Sequence, residues 1–189
     1  MKTNRFGLGT LLATLAAAVL GSSVAVAETA HVSAAEPLND RATARWDMEG
    51  SGIRRSIVEE ETAPGGAAIE FRVRRAVDEV WRTRATVPLI RDIKEGDTVE
   101  LTVWVRAERP MRQLGTGNVD LQLVRTVEPY DNIFSENIRP TEEGQFYTVR
   151  GVAASDFNAD DVVFGANLGF GRQTIQFGPI AITRVESAE

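Results

Sequence analysis

From Arg41 onward, apolar and polar positions alternate with a period of two, and turn residues interrupt the alternation. Ile69, Phe71 and Val73 alternate with Glu70, Arg72 and Arg74, and Val99, Leu101, Val103 and Val105 with Glu100, Thr102, Trp104 and Arg106. Val119, Leu121 and Leu123 enclose Asp120 and Gln122; Tyr147 and Val149 flank Thr148; Phe164, Ala166 and Leu168 enclose Gly165 and Asn167. Lys94-Glu95-Gly96-Asp97, Gly115-Thr116-Gly117-Asn118 and Glu142-Glu143-Gly144 precede three of these runs. Such alternation between turn signals predicts half-buried antiparallel strands. No segment keeps a helical stripe over four turns, so the pattern predicts an all-β fold, an antiparallel β-sandwich or jelly roll.

Near the end of the chain, residues 167–180 predict two closing strands. Gly169 and Gly171 punctuate the turn between them and hold out Arg172 and Gln173, and the last strand is broken at Gly178-Pro179. Residues 126–144 and 154–161 show no period; the first carries its own aromatics, Tyr130 and Phe134, as long connections with a function or a packing role do. Residues 28–40 are Ala-rich and polar and predict a flexible leader. The expected organisation is a signal peptide over 1–27, the leader over 28–40, one β-domain over 41–185 and a short tail over 186–189.

The N-terminus changes the picture. Lys2 and Arg5 precede an apolar run from about Phe6 to Leu20, and Ala25-Val26-Ala27 supplies the small residues of a cleavage site. This is the pattern of a secretory signal, too short for the ~20 residues of a spanning helix, and it predicts a periplasmic or secreted chain with no membrane anchor after cleavage. The sequence has no cysteine, so neither disulfides nor a cysteine-linked lipid contributes. It holds 27 acidic against 21 basic residues, a net charge of −6, which argues against nucleic acid as a partner. The single histidine, His31, falls in the leader, which removes Ser-His-Asp, cysteine-histidine and zinc chemistry.

Taken together, the elements resemble the jelly-roll carbohydrate-binding modules appended to xylanases and other glucan-degrading enzymes, within the galactose-binding-like group. The residues carrying the resemblance are Trp46-Asp47-Met48-Glu49-Gly50 and Gly66-Ala67-Ala68-Ile69-Glu70-Phe71-Arg72-Val73, then Trp81 before a short strand. The run from Ile93 to Ala107, Gln145-Phe146-Tyr147, Leu168-Gly169 and Gln173-Thr174-Ile175-Gln176-Phe177 complete it. The resemblance implies non-catalytic binding of a β-linked polysaccharide or oligosaccharide, xylan- or glucan-like, in a groove on one sheet face. It also implies a structural calcium held by an acidic residue of the opening strand, here Glu49, and an aspartate of the last strand, where this chain has Gly178.

Such a groove stacks an aromatic ring on a pyranose and aims amides, carboxylates or arginines at its hydroxyls. The candidates are Trp81 with Arg84 nearby, Gln122 in mid-strand, Tyr130 and Asn132 in the long connection, and Asn167, Arg172 and Gln173. Five of them have a structural alternative: a rim residue of the core for Trp81, a solvated sheet face for Gln122, an ordinary turn for Tyr130 and Asn132, an ion pair for Arg172. Trp104 and Trp46 are read as packing residues. Asp156, Asn158 and Asp160 have the first spacings of a calcium loop, but Asp161 stands where its glycine belongs and Asn167 where its glutamate belongs, so a solvated loop is the competing reading and no cofactor is expected. A jelly-roll lyase or hydrolase lacks a placed histidine or lysine base, since Lys94 lies in a turn. An envelope domain binding protein instead of sugar shares the same fold, which alone does not choose between them. Signal cleavage is expected after Ala27, so mass spectrometry of the exported protein should find Glu28 as its first residue; an intact Met1 would refute it.

Overall fold

The computed structural model describes residues 35–41 and 45–185. The signal peptide, His31, most of the leader and the tail at 186–189 lie outside the described residues. Two antiparallel sheets face each other. The first has the order β3 (Ile53–Glu59), β4 (Ala67–Val73), β11 (Gln173–Val185), β6 (Thr98–Arg109) and β9 (Gln145–Val152), with β1 (Glu36–Pro37) also paired to β11. The second has the order β2 (Asp47–Glu49), β5 (Arg84–Pro88), β10 (Val162–Asn167), β7 (Val119–Arg125) and β8 (Asn132–Ile138). From β4 onward the chain crosses repeatedly from one sheet to the other, the jelly-roll arrangement expected from the alternation.

The core is the set of inward positions that the period of two designates. Phe71, Val73, Val99, Leu101, Val103, Ile175, Phe177 and Ile182 come from the first sheet, and Val119, Leu121, Leu123, Phe164 and Ala166 from the second. Trp46 bridges them: its ring lies 4.7 Å from that of Phe177, 5.8 Å from Phe71 and 5.8 Å from Phe164, the last edge-on. Packing at these separations adds to the area term that dominates such cores.

Three expectations are corrected. The leader does not extend to residue 40. Leu38 is fully buried, its amide donates to Ile182 O at 2.8 Å, and Asn39 Oδ1 accepts from the Ile182 amide at 2.7 Å. The reason is an open edge: β4 pairs with β11 only from Gln173 to Phe177, and β1 takes the same edge at Thr183 and Arg184. Residues 126–144 are not irregular throughout, because β8 lies within them; its adjacent Ile133 and Phe134 are both buried, which hides the alternation. Nor does the last strand break at Gly178-Pro179. It passes through a bulge, with Phe177 opposite Val105 and Ile180 opposite Val103, so that two residues face Trp104 alone.

That bulge belongs to a second, smaller core on the outer face of the first sheet. Trp104 points outward by parity, yet it is 2 % exposed, packed with Ala63, Ala68 and Val58 beneath the turn between β3 and β4. Glu60 closes this turn, accepting from Thr62 and ion-pairing with Arg106. The indole leaves no room for neighbouring side chains: a Cβ on Gly144 would lie 1.9 Å from Trp104 Cζ2, and one on Gly178 3.0 Å from Cε3. Gly144→Ala should therefore lower stability to urea by about 1–3 kcal/mol, and Trp104→Ala by about 3–5 kcal/mol. The double variant should cost no more than Trp104→Ala alone; strictly additive losses would show that the glycine serves another purpose.

Candidate functional site

Among the described residues, no such turn lies over the outer face of the second sheet. Because outward residues recur at every second position and the strands are in register, they form rows across the sheet. One row reads Glu49, Arg84, Asn167, Asp120 and Asn137 from β2 through β5, β10 and β7 to β8. The next reads Asp47, Thr86, Gly165, Gln122 and Ser135. A Cβ at Gly165 would meet nothing within 4 Å, so the middle of this row is a bare strip of backbone, the kind of position where a ligand approaches a strand closely.

Side-chain hydrogen bonds lock the rows. Asp120 Oδ2 accepts from Gln122 Nε2 at 2.7 Å and from Asn167 Nδ2 at 3.1 Å, and its Oδ1 accepts from Ser135 Oγ at 3.2 Å. Arg84 donates twice to the Glu49 carboxylate at 3.0 Å, a planar two-point contact that fixes its guanidinium. Over this floor lies a groove of about 580 Å³ lined by Trp81, Arg84, Asp120, Gln122 and Tyr130, with Val80 and Val124 supplying apolar wall. That is the size of a small-ligand site.

Both groove aromatics sit off the sheet. Trp81 lies in one turn of 3-10 helix over Val80–Arg82 and is 51 % exposed, with the Arg82 guanidinium 5.3 Å from its ring. Tyr130 is 60 % exposed in the β7–β8 connection. Its φ of 58° is in the left-handed region that a bulky residue seldom occupies. Arg125 holds this connection: it donates to Asp131 at 2.6 and 3.4 Å, to Ser155 Oγ and the Asp156 carbonyl at 3.0 Å, and its guanidinium carbon stands 4.3 Å over the Phe157 ring. The hydrogen bond from Arg125 keeps the Asp131 carboxyl below the usual aspartate range.

Of the eight sequence candidates, Trp81, Arg84, Gln122, Tyr130 and Asn167 line one groove. Asn167 is 2 % exposed, so its part is to hold Asp120. The other three are elsewhere. Asn132 is exposed at the start of β8 outside the groove lining. Gln173 is corrected: it is buried, its Oε1 accepting from the Asn118 amide at 2.9 Å and its Nε2 donating to the carbonyls of Asn118 at 2.8 Å and Leu168 at 3.0 Å. Arg172 is exposed but borders a different hollow. Sequence reasoning missed Asp120 and Gly165, although both share the parity of Gln122 and Asn167 on strands already recognised.

The calcium candidates have other partners. Glu49 is held by Arg84. Asp156 accepts from the Glu95 amide at 2.9 Å and from Lys94 Nζ at 3.0 Å, contacts that lower its pKa and raise that of Lys94. Asn158 Nδ2 donates to Asp161 at 3.1 Å, and Asp160 sits in the short turn Ala159–Asp161. Among the described residues no cluster of three His, Asp or Glu side chains has the arrangement of a metal site.

No family model matches the sequence, and no curated protein matches it. Solved structures do. The second N-terminal cellulose-binding domain of Cellulomonas fimi β-1,4-glucanase C superposes with a TM-score of 0.59 at 13% identity, over 82% of this chain and 99% of that domain. The first such domain of the same enzyme gives 0.56 at 15% identity, over 76% and 90%. A CBM22-1 xylan-binding domain from Paenibacillus barcinonensis gives 0.53 at 10% identity, over 82% and 95%. The chain has the jelly-roll fold that these domains share. At these identities the likeness speaks for the fold alone, and in this jelly roll the site rests on its own rows and groove.

Asp131 makes the stability of the β7–β8 connection depend on pH. A folded pKa held low contributes stability that is present above the unfolded value of about 3.9 and is lost as pH falls through the folded value. Asp131→Asn should therefore lower the melting temperature at pH 7, with the difference from the parent unchanged down to about pH 4.5 and shrinking further into acid. A difference independent of pH would remove the Arg125–Asp131 pair as its cause.

Proposed function

We propose that this protein is a non-catalytic, exported carbohydrate-binding protein that takes a β-linked polysaccharide or oligosaccharide, xylan- or glucan-like, into the groove on the outer face of the second sheet. One observation carries the reading: hydrogen-bonding side chains fixed on two neighbouring rows, Arg84 and Asp120 on one and Gln122 on the next, lie in the same groove as two exposed aromatic rings, Trp81 and Tyr130. Sugar hydroxyls match these polar groups, and the apolar face of a pyranose matches a ring. Prior ordering favours affinity, because Asp120 and Arg84 are already held in place and lose little freedom on binding. The cellulose-binding and xylan-binding domains of like fold support the choice of a β-linked glycan.

Several features favour binding over hydrolysis. Glycoside hydrolysis uses two carboxyl groups facing each other across the scissile bond, whereas Asp120 is the one carboxylate in this groove lining and is tied up by three neighbours. Neither a lysine nor a histidine lines it. Export rests on the N-terminal pattern.

Affinity electrophoresis in gels containing soluble xylan, β-glucan or mannan tests the proposal. The native chain should be retarded by at least one neutral polymer. Trp81→Ala should weaken that retardation about tenfold, the equivalent of 1.4 kcal/mol, and Gln122→Ala should weaken it in the same direction. Free migration in every polymer, or retardation unchanged in Trp81→Ala, would refute the groove reading.

A further inference from the structure

A second hollow lies at the end of the first sheet and has the opposite character. It encloses about 600 Å³ and is lined by five arginines, Arg72, Arg75, Arg109, Arg112 and Arg172, with no aspartate or glutamate. This is a concentrated positive field on a chain whose net charge is −6. Several arginines elsewhere pair with acids: Arg84 with Glu49, Arg106 with Glu60, Arg125 with Asp131, Arg150 with Glu100 and Arg184 with Glu36. In the hollow only Arg72 does so, with Glu70 at 3.1 Å, and the other four form no ion pair among the described residues.

The cluster is assembled, not incidental to one segment. Arg72 stands one residue before the end of β4, opposite Thr174 of β11, and Thr174 is opposite Arg109 of β6. Two strand spacings separate the two arginines, roughly 10 Å. Arg112 lies in a turn closed by the Met111 amide on Thr116 O and the Gly115 amide on Met111 O, both 2.9 Å. Met111 in turn packs on the bare Cα of Gly171, where a Cβ would lie 2.5 Å from its terminal methyl, and this places Arg172 beside the turn. A guanidinium stays charged at any physiological pH, so these groups repel one another; the acids Glu142 and Glu143 on the side of Arg112 and Asp78 and Glu79 on the side of Arg75 line neighbouring hollows and not this one.

We propose that this hollow binds the carboxylate groups of an acidic polysaccharide, at a site separate from the groove. Guanidinium pairs with carboxylate through two parallel hydrogen bonds, a planar geometry that an arginine cluster supplies. Pro110, Met111 and Phe170 line the hollow between the charges and give a sugar ring an apolar surface, which a bare inorganic anion does not need. Its enclosed volume admits one or two sugar units, whereas a nucleic acid calls for an extended basic face. The saccharide carrier rests on the glycan reading of the preceding section; the requirement for an anion does not.

The test is affinity electrophoresis of the full exported chain and of Arg109→Glu/Arg112→Glu, both exposed positions, in gels containing polygalacturonate, its fully methyl-esterified form, or neutral xylan. Circular dichroism checks that the variant keeps its fold, and Arg109→Gln/Arg112→Gln repeats the test without added negative charge. Polygalacturonate should retard the native chain, at least tenfold more strongly than the esterified polymer and less at 500 mM than at 50 mM salt, because screening weakens exposed charge pairs. Both arginine variants should lose that retardation tenfold or more while migrating like the native chain in xylan. Equal retardation by charged and esterified polymer, undiminished binding in a folded variant, or tighter retention by a single-stranded oligonucleotide or phosphatidylserine vesicles would overturn the proposal. Failure of the xylan arm alone would count against the groove and leave the hollow standing.

Discussion

Trp46 touches Phe71 and Phe177 on one sheet and Phe164 on the other, and the sandwich is set by that contact. Once Phe164 points into the core, the pleat of β10 sends Gly165 and Asn167 between and beyond it to the other face. The same holds on β7, where burying Leu121 and Leu123 forces Asp120 and Gln122 outward. The floor of the groove is thus the complement of the core: each residue that the aromatic cluster fixes inside determines a neighbour outside, and register lines those neighbours up.

A sheet face becomes a site only if nothing lies on it. The two outer faces differ in this respect. On the first sheet, the turn between β3 and β4 folds back over Trp104, and glycines at 144 and 178 make room for the indole. On the second, the nearby turns stand at the side, with Trp81 and Tyr130 exposed on them, and Gly165 keeps the centre low. Two tryptophans that look alike in sequence therefore do opposite things: one is sealed under a turn, the other is offered to solvent. Gly178, which departs from the aspartate of the modules the chain resembles, has a packing reason of its own in the ring of Trp104.

Electrostatics divides the surface in a similar way. Arg125 fixes the loop of Tyr130 by meeting Asp131, Ser155 and a carbonyl at once, a structural use of arginine next to the groove. The arginines at 75, 109, 112 and 172 form no ion pair among the described residues and line a hollow without an acid. Acidic residues outnumber basic ones overall, so this segregation of sign is a property of placement and not of composition.

The sequence by itself determined the fold class, the inward and outward face of most strands and the packing role of Trp46, because side-chain parity follows locally from the backbone pleat. It also named five residues that line the groove: Gln122 and Asn167 fall on the outward parity, Arg84 begins β5, and Trp81 and Tyr130 lie in turns beside the strands. It did not determine which outward face stays open, that Gln173 turns inward to bind Asn118 and Leu168, or that Leu38 closes an edge left free by β4. Nor did it reveal that arginines from β4, β6, the turns that follow each of them and the turn before β11 meet in one hollow. These depend on where distant segments cross one another, and only the tertiary structure decides that: parity is fixed within a few residues, while cover, edges and charge clusters come from contacts between parts of the chain far apart in sequence.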